Sequence, residues 1–258
     1  KAYLIFFLPH SIVTVSLVTA LLPAVSRLAA DRDFGVFSRV LTDTMRTVTA
    51  LTVPIAAVMM PLAPLLAALL FGFGAANRES AYLIGYTVIA MLIGLVPFSI
   101  YFILLRGWYA LEDTKTPFYL SLVLNTVNVV LSIALFQVAP TQLKVPAIGL
   151  AFGLTYWIMM PIAWPVLARR AGDLHTRSTW LAVLKMLFAG VGAGLVTIMA
   201  FIGIDVVFEG SWDSRLGLLA VLVSASLVGF LAYLAMARVL HIREVGSAVS
   251  MVSRRMRR

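Results

Sequence analysis

Cysteine is absent from the 258 residues, which excludes disulfides, thiolate metal sites and cysteine nucleophiles. Charge is scarce too. Asp, Glu, Lys and Arg make up 12% of the chain, and seven stretches contain none of them: 2–26, 47–77, 80–105, 116–143, 145–168, 186–204 and 216–237. No G-x-S-x-G, H-E-x-x-H or Walker loop occurs, and no carboxylate lies inside those stretches. The residues that a membrane hydrolase or an ATP-driven pump needs are therefore missing. His175 and His241 have no partner at metal-ligand spacing, so no metal and no cofactor is expected.

What is present is long apolar runs. Each uncharged stretch has 19 to 31 residues, and a helix of about 20 residues crosses the roughly 30 Å hydrocarbon layer of a bilayer. Strand edges cannot stay unpaired in lipid, so the spans are helices and the fold class is all-α, a polytopic membrane protein. The expected spans are 3–24, 46–70, 81–105, 117–138, 146–168, 180–203 and 215–240. Segment 25–45 places Phe34, Phe37 and Val40 at helical spacing among charges, which predicts a short interfacial helix.

The net charge of +9 would suggest nucleic acid in a soluble protein. Here the cations flank the apolar runs, and no nucleic-acid partner is expected. If alternate connections share a side, sixteen of the twenty basic residues fall on one side. The positive-inside rule makes that side cytoplasmic and puts the C-terminus there. Arg254, Arg255, Arg257 and Arg258 act either as a stop-transfer signal or as a contact with anionic lipid. Lys1 reads as the cut end of a fragment whose preceding part carried the remaining topology.

Polar residues inside the spans mark candidate sites, because an uncompensated polar group in hydrocarbon is costly. Ser121, Asn125, Asn128 and Ser132 recur at 4, 3 and 4 residues and share one helical face. Either they line a cavity for a polar substrate or they hydrogen-bond a neighbouring helix. His10, Ser11 and Thr14 cluster after Pro9; the histidine either meets an anionic group or is a packing residue. Gly190 and Gly194 form a G-x-x-x-G pair that admits a close helix or a lipid chain. A lateral groove for a lipid tail between the last two spans follows from the second reading. Pro9, Pro54, Pro61, Pro64, Pro97, Pro161 and Pro165 each remove a helical hydrogen bond, and bends of that kind suit a rocking carrier.

Two segments, LPHSIVTVSLVTALLPAVSRLAA at 8–30 and RGWYALEDTKTP at 106–117, resemble the bacterial lipid II flippase family MurJ, also called MviN, of the multidrug/oligosaccharidyl-lipid/polysaccharide exporter superfamily. LLFGFGAANRES at 69–80 and PAIGLAFGLTYWI at 146–158 are similar to it as well. The resemblance implies family helices eight to fourteen of fourteen. It implies C-lobe helices at 1–170, two further helices forming an undecaprenyl-tail groove at 171–243, and a basic cytoplasmic tail at 244–258. It implies a bacterial inner-membrane transporter rather than an enzyme, with a missing N-terminal lobe as its partner. The headgroup of a lipid-linked precursor, carried on undecaprenyl diphosphate, would occupy the cavity while the lobes alternate access.

Members of the family often carry an arginine a few residues before the Leu-Pro pair. Leu4 stands there in this chain, so Lys1, nearly a turn earlier, is the substitute candidate. Arg106, Tyr109, Asp113, Thr114, Lys115 and Pro117 make the expected cytoplasmic hinge. The rival expectations are another exporter of the superfamily, carrying a different lipid-linked oligosaccharide or a drug, and a membrane scaffold that recruits cytoplasmic cell-wall regulators through its basic tail.

Overall fold

A computed structural model describes residues 1–72, 78–207, 215–242 and 244–246. The described residues are helical throughout their spans: α1 Ala2–His10, a π-helical turn Ser11–Val15, α2 Ser16–Ala30, α3 Phe34–Phe71, α4 Arg78–Leu92, α5 Leu95–Ala110, α6 Lys115–Val138, a 3-10 turn Thr141–Leu143, α7 Lys144–Ala171, α8 Thr176–Val207 and α9 Arg215–Val239. Six helical segments among them are long and apolar enough to cross a membrane, or seven if the bent α4–α5 pair counts as one span. The all-helical, multi-pass architecture expected from the uncharged runs is thus present. The middle of the 69–80 turn, the acidic residues Glu209 and Asp213, and nearly all of the tail 244–258 lie outside the described residues.

One expectation needs correcting. The segment 25–45 is not a separate interfacial helix: α2 runs on to Ala30, and α3 begins at Phe34 and continues unbroken into the span. Between them Arg32 adopts φ 55°, with Arg32 N–H on Ala29 O at 3.1 Å and Asp33 N–H on Leu28 O at 3.0 Å. This double bond pattern closes a helix end tightly. Asp33 then caps α3 by accepting the Val36 N–H at 3.2 Å, satisfying one of its free donors. Phe37, Leu41 and Met45 are completely buried, so this part of α3 belongs to the core instead of lying on a lipid surface.

Most of the in-span prolines lie inside continuous helices. α3 runs through Pro54, Pro61 and Pro64, and α7 through Pro161 and Pro165. Neighbouring groups take over two of the carbonyls that prolines leave free. Pro54 cannot donate to Ala50 O, and the Tyr233 hydroxyl of α9 donates there instead, at 3.4 Å. Pro97 cannot serve Ile93 O, which receives the Trp157 indole N–H at 2.9 Å. At this second place the helix does break: α4 and α5 meet at 53°. A Cβ on Gly94 would stand 2.4 Å from Gly153 Cα, so α7 approaches the break backbone to backbone.

Lipid tails are as apolar as leucine, so helices in a membrane associate mainly through close packing. α3 is the element others pack on. α4 meets it where Gly85 faces the backbone of Pro64, and α8 where Gly190 faces Val53. The largest buried cluster gathers Phe37, Leu41, Trp108, Met159, Leu167, Met186 and Tyr233. The end of the molecule that carries the α2–α3, α5–α6 and α7–α8 turns and the end of α9 also holds most of the cations, and is called the basic end below.

Candidate functional site

At the basic end the hinge motif is built around Asp113. The end of α5 closes with Glu112 at φ 56° and Asp113 N–H on Trp108 O at 3.0 Å. The Asp113 carboxylate then accepts the Thr116 N–H at 3.0 Å and the Thr116 hydroxyl at 2.6 Å, capping α6. Arg170, at the end of α7, donates to the same carboxylate. The Thr116 hydroxyl first, then its N–H, and then the Arg170 guanidinium hold the Asp113 carboxyl below its ordinary range. Pro117 is buried in the first turn of α6, where a missing N–H costs nothing.

The other hinge residues face outward or stack. The Arg106 guanidinium lies 4.6 Å from the Phe102 ring and 5.8 Å from that of Tyr109. Thr114 and Lys115 are exposed and border a shallow opening with Phe118 and Tyr119. Arg170 entered the sequence reading only as a topological charge. Its spacing from Asp113 is set by the packing of α5, α6 and α7, which no local pattern reveals.

Deeper in the first span, His10 and Thr14 are wholly buried. His10 Nδ1 lies 3.1 Å from the Ser99 hydroxyl of α5. The ring is enclosed by Phe98 at 4.3 Å, Phe102 at 5.1 Å and Phe7 at 5.3 Å. Thr14 sits in the π-helical turn and its hydroxyl has no partner among the described residues. Thr19, Thr49, Thr52, Thr155 and Thr197 each donate to the carbonyl four residues back. The wider π turn displaces that carbonyl from Thr14. Ser11 is half-buried. Ser99 went unread in the sequence, although a serine two residues after an in-span proline is a usable signal.

The structure does not bring Lys1 to this cluster. Lys1 precedes α1 and its ammonium lies 5.3 Å from the Phe71 ring centroid, about 13 Å of helix from His10. Leu4, Leu8 and Ile12 leave one face of the first span uncovered by the rest of the described chain.

The polar face of α6 divides. Asn128 donates to the Thr155 hydroxyl of α7 at 3.2 Å, the interhelical bond that was one of the two readings. Asn125 is exposed and donates to Ser121 O of its own helix at 2.8 Å. Ser121 and Ser132 are half-buried. The stripe therefore straddles the boundary between α7 and the surface the chain leaves open.

Gly190 and Gly194 line an apolar groove of roughly 440 Å³ together with Val53, Ala57, Pro61, Ile89, Ile93 and Ile198. Its walls are α3, the α4–α5 break and α8. α8 and α9 themselves pack closely: a Cβ on Gly229 would stand 2.0 Å from the Thr197 hydroxyl, and one on Gly192 2.2 Å from Met236 Cε. The groove that Gly190 and Gly194 line thus opens on the α3 side of α8, away from α9. A second apolar groove of roughly 610 Å³ runs between α3 and α9. Among the described residues no cluster of His, Asp or Glu could hold a metal ion.

The family model for Lipid II flippase MurJ matches residues 1–239. Similar relatives include a probable lipid II flippase MurJ of Buchnera aphidicola subsp. Baizongia pistaciae, 28% identical over 201 residues, which cover 78% of this chain and 38% of that one. Another is a probable lipid II flippase MurJ of Rhizobium tropici, 27% identical, covering 90% of this chain and 42% of the relative. A solved lipid II flippase MurJ in an inward closed conformation superposes with a TM-score of 0.67 at 21% identity, over 93% of this chain and 46% of that structure. The chain spans about two fifths of the length of these two relatives.

Proposed function

Because this chain belongs to the Lipid II flippase MurJ family, we propose that it is the rear portion of a two-lobed carrier. That carrier moves a lipid-linked peptidoglycan precursor across the bacterial inner membrane by alternating access, without bond chemistry. The basic end faces the cytoplasm, in keeping with the eleven of fifteen cations that it holds among the described residues. The headgroup passes along the face that the first span and α6 leave uncovered, where an N-terminal lobe closes the cavity. Asn125, Ser121 and Ser132 border that face.

The observation that carries the reading is the apolar groove on Gly190 and Gly194. It lies beside a mid-span helix break, and it offers an isoprenoid tail a dry path next to a joint that can flex. At the basic end, the Asp113–Arg170 bond ties the α5–α6 turn to α7 and so couples movement of α6 to the lobe. The experiment is complementation of a flippase-depleted strain by the full-length protein and by its Gly194→Leu variant. Growth with the first and failure of the second, at equal membrane abundance, supports the reading. Equal rescue by both removes the groove from the mechanism. The rivals, a different exporter and a scaffold, gain nothing from the comparisons, whose named relatives are lipid II flippases.

A further inference from the structure

Where α8 begins and α9 ends, Ser178, Lys185, His241 and Glu244 line a pocket of roughly 230 Å³ with apolar walls at Leu181 and Ile242. Arg46 of α3 braces it from behind, donating to the Ser178 hydroxyl at 2.7 Å and to that of Thr179 at 3.2 Å, with Glu244 at 4.0 Å. Trp180, partly exposed near the start of α8, lies at the same end, and partly exposed tryptophans gather at the headgroup level of a bilayer. Lys185 is exposed about 14 Å along α8 from Thr176. It makes no hydrogen bond or ion pair with any described residue.

From these groups we infer that the pocket is a binding site for the headgroup of a phospholipid that carries both a phosphate and a primary ammonium, as phosphatidylethanolamine does. The phosphate meets Lys185, with the His241 ring beside it; the Ser178 hydroxyl is committed to the wall, accepting from Arg46 and donating to His175 O at 3.0 Å. The ammonium meets Glu244, whose carboxylate has about four acceptor positions and takes a further donor beside those it already meets, Arg46 among them. A lysine and a glutamate lining a single small pocket match a zwitterion better than an anion alone.

The surface beyond the pocket decides between a lipid and free phosphate. Leu181, Leu184, Phe188, Val191 and Leu195 are all exposed, and their spacing makes one continuous stripe on α8 starting beside Lys185. From Lys185 to Leu195 the helix rises about 15 Å, half the hydrocarbon thickness. That is the reach of an acyl chain in one leaflet. Val191 and Leu195 also border the groove on Gly190 and Gly194, so the acyl chain runs along its rim, while the headgroup contacts involve none of the groove's residues.

The test is native mass spectrometry of the full-length, delipidated protein titrated with phosphatidylethanolamine, phosphatidylglycerol and phosphatidylcholine in turn. Phosphatidylethanolamine is expected to bind most tightly, and Lys185→Gln to weaken it roughly tenfold, with Lys185→Arg restoring it. Glu244→Gln is expected to weaken phosphatidylethanolamine while leaving phosphatidylglycerol unchanged, which also shows that the pocket is still folded. Equal retention of the three lipids, no effect of Lys185→Gln, loss of both lipids from Glu244→Gln, or displacement by inorganic phosphate would each overturn the assignment.

Discussion

At the level of single residues, the prolines show how this chain satisfies backbone groups that lipid cannot. Trp157 answers Ile93 O at the α4–α5 break, where Pro97 has no N–H to offer. Trp157→Phe should therefore lower the melting temperature in detergent, leaving a carbonyl unpaired at a cost of about 1–2 kcal/mol. In a Pro97→Ala background the same substitution should cost far less, since the alanine introduced there has an N–H of its own to donate to Ile93 O. A double-mutant cycle with no coupling between the two positions would refute the pairing. Asp113 supplies a pH prediction. Its folded-state pKa is depressed, so its contribution to stability is complete above its ordinary value and is lost as pH falls through the lower folded value. Thermal melts between pH 7 and pH 3 should show the wild type losing an increment of stability on the acid side that Asp113→Asn never had. The prolines and Asp113 could be read from the sequence. Their partners Trp157, Tyr233 and Arg170 could not, because each lies tens of residues away or more, across a helix interface.

Among the helices, packing depends on where glycine lets backbones touch, and the cost of filling such a place depends on what stands opposite. A Cβ on Gly85 would meet Pro64 Cα at 2.4 Å, rigid backbone on both sides, whereas one on Gly192 would meet only the flexible end of Met236. Gly85→Ala should destabilise by about 1–3 kcal/mol and Gly192→Ala by much less. Comparing the two melting temperatures in the same detergent checks this, and equal effects would count against the α3–α4 contact. The G-x-x-x-G pattern at Gly190 was visible in the sequence, but its partner was not. Periodicity places both glycines on one face of α8 without saying that this face turns to α3 and the α4–α5 break. α3 stays helical through its three prolines, and at Pro54 the hydroxyl of Tyr233 from α9 replaces the bond that the helix loses.

Taken as one body, the described helices leave two long apolar faces open. The uncovered faces of the first span and of α6 are the surfaces on which a preceding lobe would close, and orientation is directly measurable. Because the chain has no cysteine, one introduced at Glu112 or at Gln142 is unique within it. In intact cells a membrane-impermeant maleimide should label the Gln142→Cys variant and reach Glu112→Cys only after permeabilisation; the opposite pattern would invert the proposed topology. The number of spans, their all-helical character and the charge asymmetry between the two ends all follow from the amino-acid order with no tertiary information. Crossing a bilayer is a demand on length, polarity and flanking charge, and all three are local. The break at Gly94, the internal bond of His10 to Ser99, the tie of Asp113 to Arg170 and the side of α8 on which the groove opens became visible only in the folded molecule. Each depends on which helix face meets which, and in an apolar solvent that choice is made by close packing and polar pairing between distant segments rather than by hydrophobicity.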